Sequence, residues 1–176
     1  RATGWIAGSP APEVFPERHD GVRVVTLSRG VSSTAATDTP WLLLGAKSLS
    51  YATNMAALRE AVRRGAQDVI YTSTDGFVLE GPTSSVLVRI NGEVVTPPAD
   101  SGVLPGTTQV DAFTALTDLG VAVAVRPITV AELEHADAVW LASSVRLLVP
   151  VVQLDGAPRP IDLELTEAVN AALKAR

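Results

Sequence analysis

Residues 84–97 read SSVLVRINGEVVTP: a β-branched run, an Asn-Gly pair, and a second β-branched run. Asn-Gly between two such runs is the strongest short-range signal for a two-residue hairpin turn, because both central residues must adopt positive φ. Working backwards, DVIYTS (68–73), the turn TDG (74–76) and FVLEG (77–81) read as a first hairpin. VRVVTL (22–27) has the composition of a strand, and SRGVSSTAATDTP (28–40) that of a loop or linker. WLLLGA (41–46) reads as a short apolar strand entering a helix over about 50–64, where Met55, Leu58, Ala61 and Val62 recur at helical spacing before Gly65. Working forwards, a Pro/Gly-rich loop (97–108) feeds a helix that runs to Leu119 and ends at Gly120. A strand (121–128), a short helix (129–136), two strands (138–144 and 147–154) and a terminal helix (162–175) follow. The expected class is α/β: a mixed, hairpin-rich sheet flanked by helices.

Composition narrows the function. Apolar residues are 47% and charged residues 19% of 176, the balance of a globular chain. No apolar run approaches the roughly 20 residues that span a bilayer, and no basic-then-apolar signal segment opens the sequence. The absence of cysteine excludes disulfides, thiolate metal sites and thiol catalysis, and fits a cytoplasmic location. A net charge of −5 without a basic stripe argues against nucleic acid as a partner. His19 and His135 lie far apart with no partner at ligand spacing, so no metal site is expected. The opening segment ATGWIAGSP (2–10) reads as an interior strand leading into a Pro-rich connection.

Four features carry possible chemistry. Lys47 is one of two lysines in a chain with twelve arginines. Beside an apolar strand it either snorkels to solvent or is desolvated into the free amine that a Schiff base needs; arginine cannot form one. Glu80, ending FVLEG, is either solvated at a turn or kept for a cation. Thr107 and Thr108 open a helix, where they either cap it or, with its first amides, form an anion site. Ser143 and Ser144 end an apolar strand, where they begin a turn or bond a ligand; no nucleophile elbow surrounds them.

In order, AKSLSYATNMAALREA, DGFVLEG, TPPADSGVLPGTT and WLASSVRLLVPVVQLDG resemble the class IV aminotransferase family, the fold-type IV pyridoxal-phosphate enzymes. The likeness runs from about Val22 to Gly156. It implies the pseudo-barrel large domain of D-amino-acid-aminotransferase-like enzymes, with pyridoxal 5'-phosphate as cofactor. By this resemblance Lys47 is the lysine linked to the cofactor and Glu80 the acid facing the pyridine nitrogen. Thr107, Thr108 and Ser144, with Ser143 beside it, match phosphate-binding positions. Tyr51 matches a tyrosine aimed at the phenolic oxygen in branched-chain aminotransferases. Gln109 and Ser85 depart from the arginine and asparagine that many relatives carry.

The resemblance further implies that residues 1–30 are the remnant of a smaller N-terminal domain. Residues 31–45 would be the interdomain linker and entry strand, and 46–176 the cofactor-binding large domain. The run is most similar to actinobacterial 4-amino-4-deoxychorismate lyases, which release pyruvate and form 4-aminobenzoate for folate synthesis. The alternatives are an amino-acid transaminase of branched-chain or D-amino-acid type, or a truncated, catalytically silent domain that self-associates. A small amino substrate and a homodimer are the expected partners.

Overall fold

The computed structural model describes Gly4, residues 6–8 and residues 15–175. Apart from Gly4 and 6–8, the strand expected over 2–10 lies outside the described residues.

Among the described residues, eight strands form one mixed sheet: β1 (Val22–Ser28), β2 (Asp68–Thr72), β3 (Ser85–Ile90), β4 (Glu93–Thr96), β5 (Val123–Val125), β6 (Ala138–Ser143), β7 (Leu147–Leu154) and β8 (Ala157–Pro158). Their order is β2-β1-β7-β6-β3-β4-β5, with β8 paired to β7. β1 runs parallel to β2 and β7, and β4 parallel to β5; the remaining pairs are antiparallel. The sheet curls into a half-barrel with flanking helices, as the resemblance implies. The β3–β4 turn is the expected one: Asn91 and Gly92 have φ of 51° and 84°.

Six α-helices accompany the sheet among the described residues: α1 (Glu17–Asp20), α2 (Ala35–Asp38), α3 (Ala52–Arg63), α4 (Thr107–Asp118), α5 (Val130–Glu134) and α6 (Leu163–Lys174). Strand alternation divides the core between the two faces. Val86 and Val88 of β3, with Val139 and Leu141 of β6, turn inward to Ile128 and to Leu133 of α5. Leu87, Ala138 and Trp140 turn outward beneath Ala112 and Leu116 of α4 and Val169 of α6. Trp140 is buried, and its indole N–H donates to Thr166 Oγ1 at 2.7 Å, so no polar atom is stranded. Ala57 and Ala61 of α3 pack on Val25, Val69 and Leu79, forming a third cluster.

Two expectations need correction. Residues 41–46 form no strand; Pro40–Leu42 is a 3-10 turn, and Leu43 (φ 52°) and Gly45 (φ 77°) are left-handed. Pro40 presets the turn, and two positive φ values break any extended run. The arm 77–81 returns along β2, with the Leu79 amide bonding Tyr71 O and the Tyr71 amide bonding Glu80 O, but it makes only isolated bridges rather than a full strand. β1 sits between β2 and β7 and supplies Val22 and Val24 to the core.

Candidate active site

One cleft of about 330 Å³ opens where the β2 return arm, the 102–108 loop, the approach to α3 and the β6–β7 turn meet. Lys47, Tyr51, Glu80, Thr107, Thr108, Ser143 and Ser144 all line it. Residues drawn from nearly a hundred positions of sequence thus converge on one wall-to-wall space.

Lys47 arrives by a different route from the one its sequence suggests. It is exposed, on an irregular segment, and Trp41 (73% exposed) and Leu43 (69%) do not desolvate it. What fixes the segment is a close backbone approach. A Cβ on Gly45 would stand 2.8 Å from the Val103 carbonyl, and one on Gly102 would stand 2.8 Å from Leu44 Cβ. Glycines at both contacts let the lysine segment press against the 102–104 loop. Tyr51 is the N-cap residue of α3 and only partly covered.

Glu80 is neither solvated nor free. Its Oε2 accepts the Leu104 amide at 2.9 Å, and its Oε1 accepts from Arg29 Nη1 at 3.1 Å, with 15% of its side chain exposed. Burial pushes its carboxyl above the usual range, while the Leu104 amide and the Arg29 charge pull it back.

Gly106, not a threonine, is the N-cap of α4, and no side chain caps the helix. Thr107 and Thr108 begin its first turn, so the helix presents its positive end to the cleft. A Cβ at Gly106 would meet Ser85 Oγ at 2.4 Å, which sets this loop directly on β3. Ser143 closes β6 and Ser144 begins the turn to β7, so the two hydroxyls both start a turn and face the cleft. That turn is anchored from outside: Arg146 donates to buried Asp68 at 2.6 Å, and Arg18 donates to the carbonyls of Val145 and Arg146.

Three further residues belong to the cleft and escape sequence reading. Arg29 sits in the segment that composition marks as linker. Asn54 holds the Pro82 carbonyl at 2.7 Å and meets the Tyr71 hydroxyl. Ser84 is 7% exposed, and its Oγ has no hydrogen-bond partner among the described residues. A buried hydroxyl without a partner, facing a cleft with an uncapped helix end, marks a place built for a polar ligand. A phosphorylated aldehyde with a basic ring nitrogen fits this donor set: amine, carboxylate, helix amides and hydroxyls.

Comparison with known proteins agrees. Residues 9–154 match the amino-transferase class IV family. The chain is 42% identical to the bifunctional aminodeoxychorismate lyase/D-amino acid transaminase of Mycobacterium tuberculosis, an alignment covering 97% of this chain and 63% of the relative. A fold IV transaminase from Curtobacterium pusillum superposes with a TM-score of 0.90 at 52% identity, covering 94% of this chain and 57% of the other. A hypothetical aminotransferase from M. tuberculosis in PLP-bound form gives 0.88 at 43% identity, covering 96% and 61%. The chain thus spans about three fifths of the length of these relatives. With its half-barrel, its cleft and a family match over most of its length, the chain belongs to the class IV aminotransferases.

Proposed function

We propose that the protein containing this chain is a pyridoxal-phosphate enzyme acting as a 4-amino-4-deoxychorismate lyase, and that these residues form its cofactor-binding part. The observation that carries the proposal is the meeting, in one cleft, of Lys47, Glu80 and the uncapped start of α4. The lyase reaction is one of the two activities named for the 42% identical relative. That same relative favours the second reading, amino-acid transamination, by the same residues.

Bound pyridoxal phosphate would supply an electron sink for charge developing at the substrate carbon. The protein's own groups hold and steer it. The first amides of α4, with Thr107, Thr108, Ser143 and Ser144, suit the phosphate. Glu80 suits the ring nitrogen and Tyr51 the phenolic oxygen, and the Ser84 hydroxyl gains the partner it lacks. Lys47, a primary amine on an exposed segment, would hold the aldehyde end of the cofactor, and its amine would take and return the proton at the substrate carbon. In the lyase reaction pyruvate departs as the ring becomes aromatic 4-aminobenzoate.

Full-length protein incubated with 4-amino-4-deoxychorismate should release 4-aminobenzoate without a keto-acid acceptor. Amino transfer with no 4-aminobenzoate would sink the lyase and leave the transaminase. Borohydride reduction of cofactor-loaded protein should leave a pyridoxyl group on the Lys47 peptide, and Lys47→Ala should remove both label and activity, the latter by roughly 10²–10⁴-fold or more. Absence of label would instead favour a silent, self-associating domain. A small amino substrate, a cytoplasmic location and a homodimer belong to the same proposal. No helix among the described residues is long and apolar enough to cross a membrane.

A further inference from the structure

Glu80 does not face the cleft alone. Arg29, the first residue past β1, donates from Nη1 both to Glu80 Oε1 (3.1 Å) and to the Gly102 carbonyl (2.8 Å). Its guanidinium carbon lies 5.9 Å from the centre of the Tyr71 ring. The end of β1, the middle of β2 and the 102–104 loop therefore fix one cation against one acid. Arg29 matches none of the positions that the family resemblance assigns to the site.

We propose that Arg29 is the positioning residue of Glu80: it keeps the half-dry carboxylate ionised and aimed into the cleft, ready to hold a protonated ring nitrogen. The proposal rests on taking Glu80 as the acid that faces the cofactor. Burial favours the neutral form of a carboxyl group, and a neutral acid is a poor partner for a pyridinium. A cation in direct contact restores the charge, and the Leu104 amide adds a donor to the other oxygen. The remaining charged or titratable groups nearby do not substitute for it. Lys47 lines the same cleft on an exposed segment. On β2, the Tyr71 phenol is held neutral by burial, and Asp68 is paired with Arg146. Among the described residues Arg29 is the one cation within ion-pair distance of Glu80.

The test reads the carboxyl group itself in full-length protein without cofactor. Glutamate labelled with carbon-13 at the side-chain carboxyl gives a Glu80 signal, identified by its loss in Glu80→Gln. In Arg29→Met that signal should titrate at higher pH, with the ratio of ionised to protonated Glu80 lowered roughly tenfold at a fixed pH. Arg29→Lys, which keeps the charge, should restore most of that ratio. If Arg29 merely staples the loop, its loss admits water and the titration moves down toward that of free glutamate. A downward or absent displacement overturns the proposal. Should Arg29→Met fail to melt cooperatively, Arg29→Gln against Arg29→Lys makes the same comparison. The borohydride label separates this from the parent reading. An upward titration without label at Lys47 sustains Arg29's hold on the acid while removing the cofactor. A fixed titration with normal label does the reverse.

Discussion

Burial and pairing pull Glu80 in opposite directions, and burial prevails, so its carboxyl stays above the usual 4.5. A raised folded value has a definite consequence for stability. Between the ordinary and the raised value the folded state holds more protons than the unfolded one, so stability falls as pH rises through that window. The contribution of Glu80 is therefore whole below about 4.5 and is lost as pH climbs through the folded value. Glu80→Gln removes the titration. In urea unfolding of cofactor-free protein, its midpoint should gain on the wild type as pH goes from 4.5 to 8. A constant difference across that range would mean that Glu80 is not titrating from a raised value. Its ion-pair partner, Arg29, is 51 positions away from Glu80 in sequence. No periodicity or turn signal links the two, which is why Glu80 read locally favours water at a turn over a cation.

At the scale of elements, local chemistry was legible where it was self-sufficient. Asn91-Gly92 dictates its own turn, and Gly65 and Gly120 end their helices in left-handed geometry. The capping box of α5, with Thr129 and Glu132 each bonded to the other's backbone amide, is likewise written in four residues. WLLLGA reads as a strand because its composition is apolar, whereas Pro40 and two positive φ values bend the run outside the sheet. The candidate residues that line the cleft could be named from their motifs, yet what presses the Lys47 segment into place is the contact of Gly45 with Val103. Gly45→Ala meets two penalties together: a left-handed φ, about 1–2 kcal/mol, and a clash with a backbone carbonyl that cannot rotate away. The loop can relieve both by lifting off. Trypsin cleavage after Lys47 should then accelerate on the order of tenfold while the global melting temperature changes little. Unchanged cleavage would show that the Gly45–Val103 contact does not hold the segment down.

For the whole molecule, β1 decides whether the cleft exists. It carries Val22, Val24 and Val25 into two of the three core clusters and is the strand that joins β2 to β7. β2 in turn holds the Glu80 arm through the paired bonds at Tyr71, and α3 packs on β1 and β2 through Ala57 and Ala61. Arg29 is delivered by the end of the same strand. Removing residues before 31 would therefore do more than trim a remnant: it would unmoor β2, the acid and the approach to α3 together. This dependence is invisible in sequence, because parallel pairing of β1 with β7 joins segments more than a hundred residues apart. Two shortened chains test it. One beginning at Phe15 keeps every described helix and strand and should melt cooperatively near the temperature of the 176-residue chain. One beginning at Val31 loses three buried valines and the central parallel strand, at a cost of roughly 1.5–3 kcal/mol for each side chain. That is comparable to the entire stability of a typical domain, so its thermal transition should broaden or vanish and its amide spectrum should collapse. If it melts as sharply as the longer chain, the cleft stands without β1, and the boundary near residue 30 is a true edge of the folded unit.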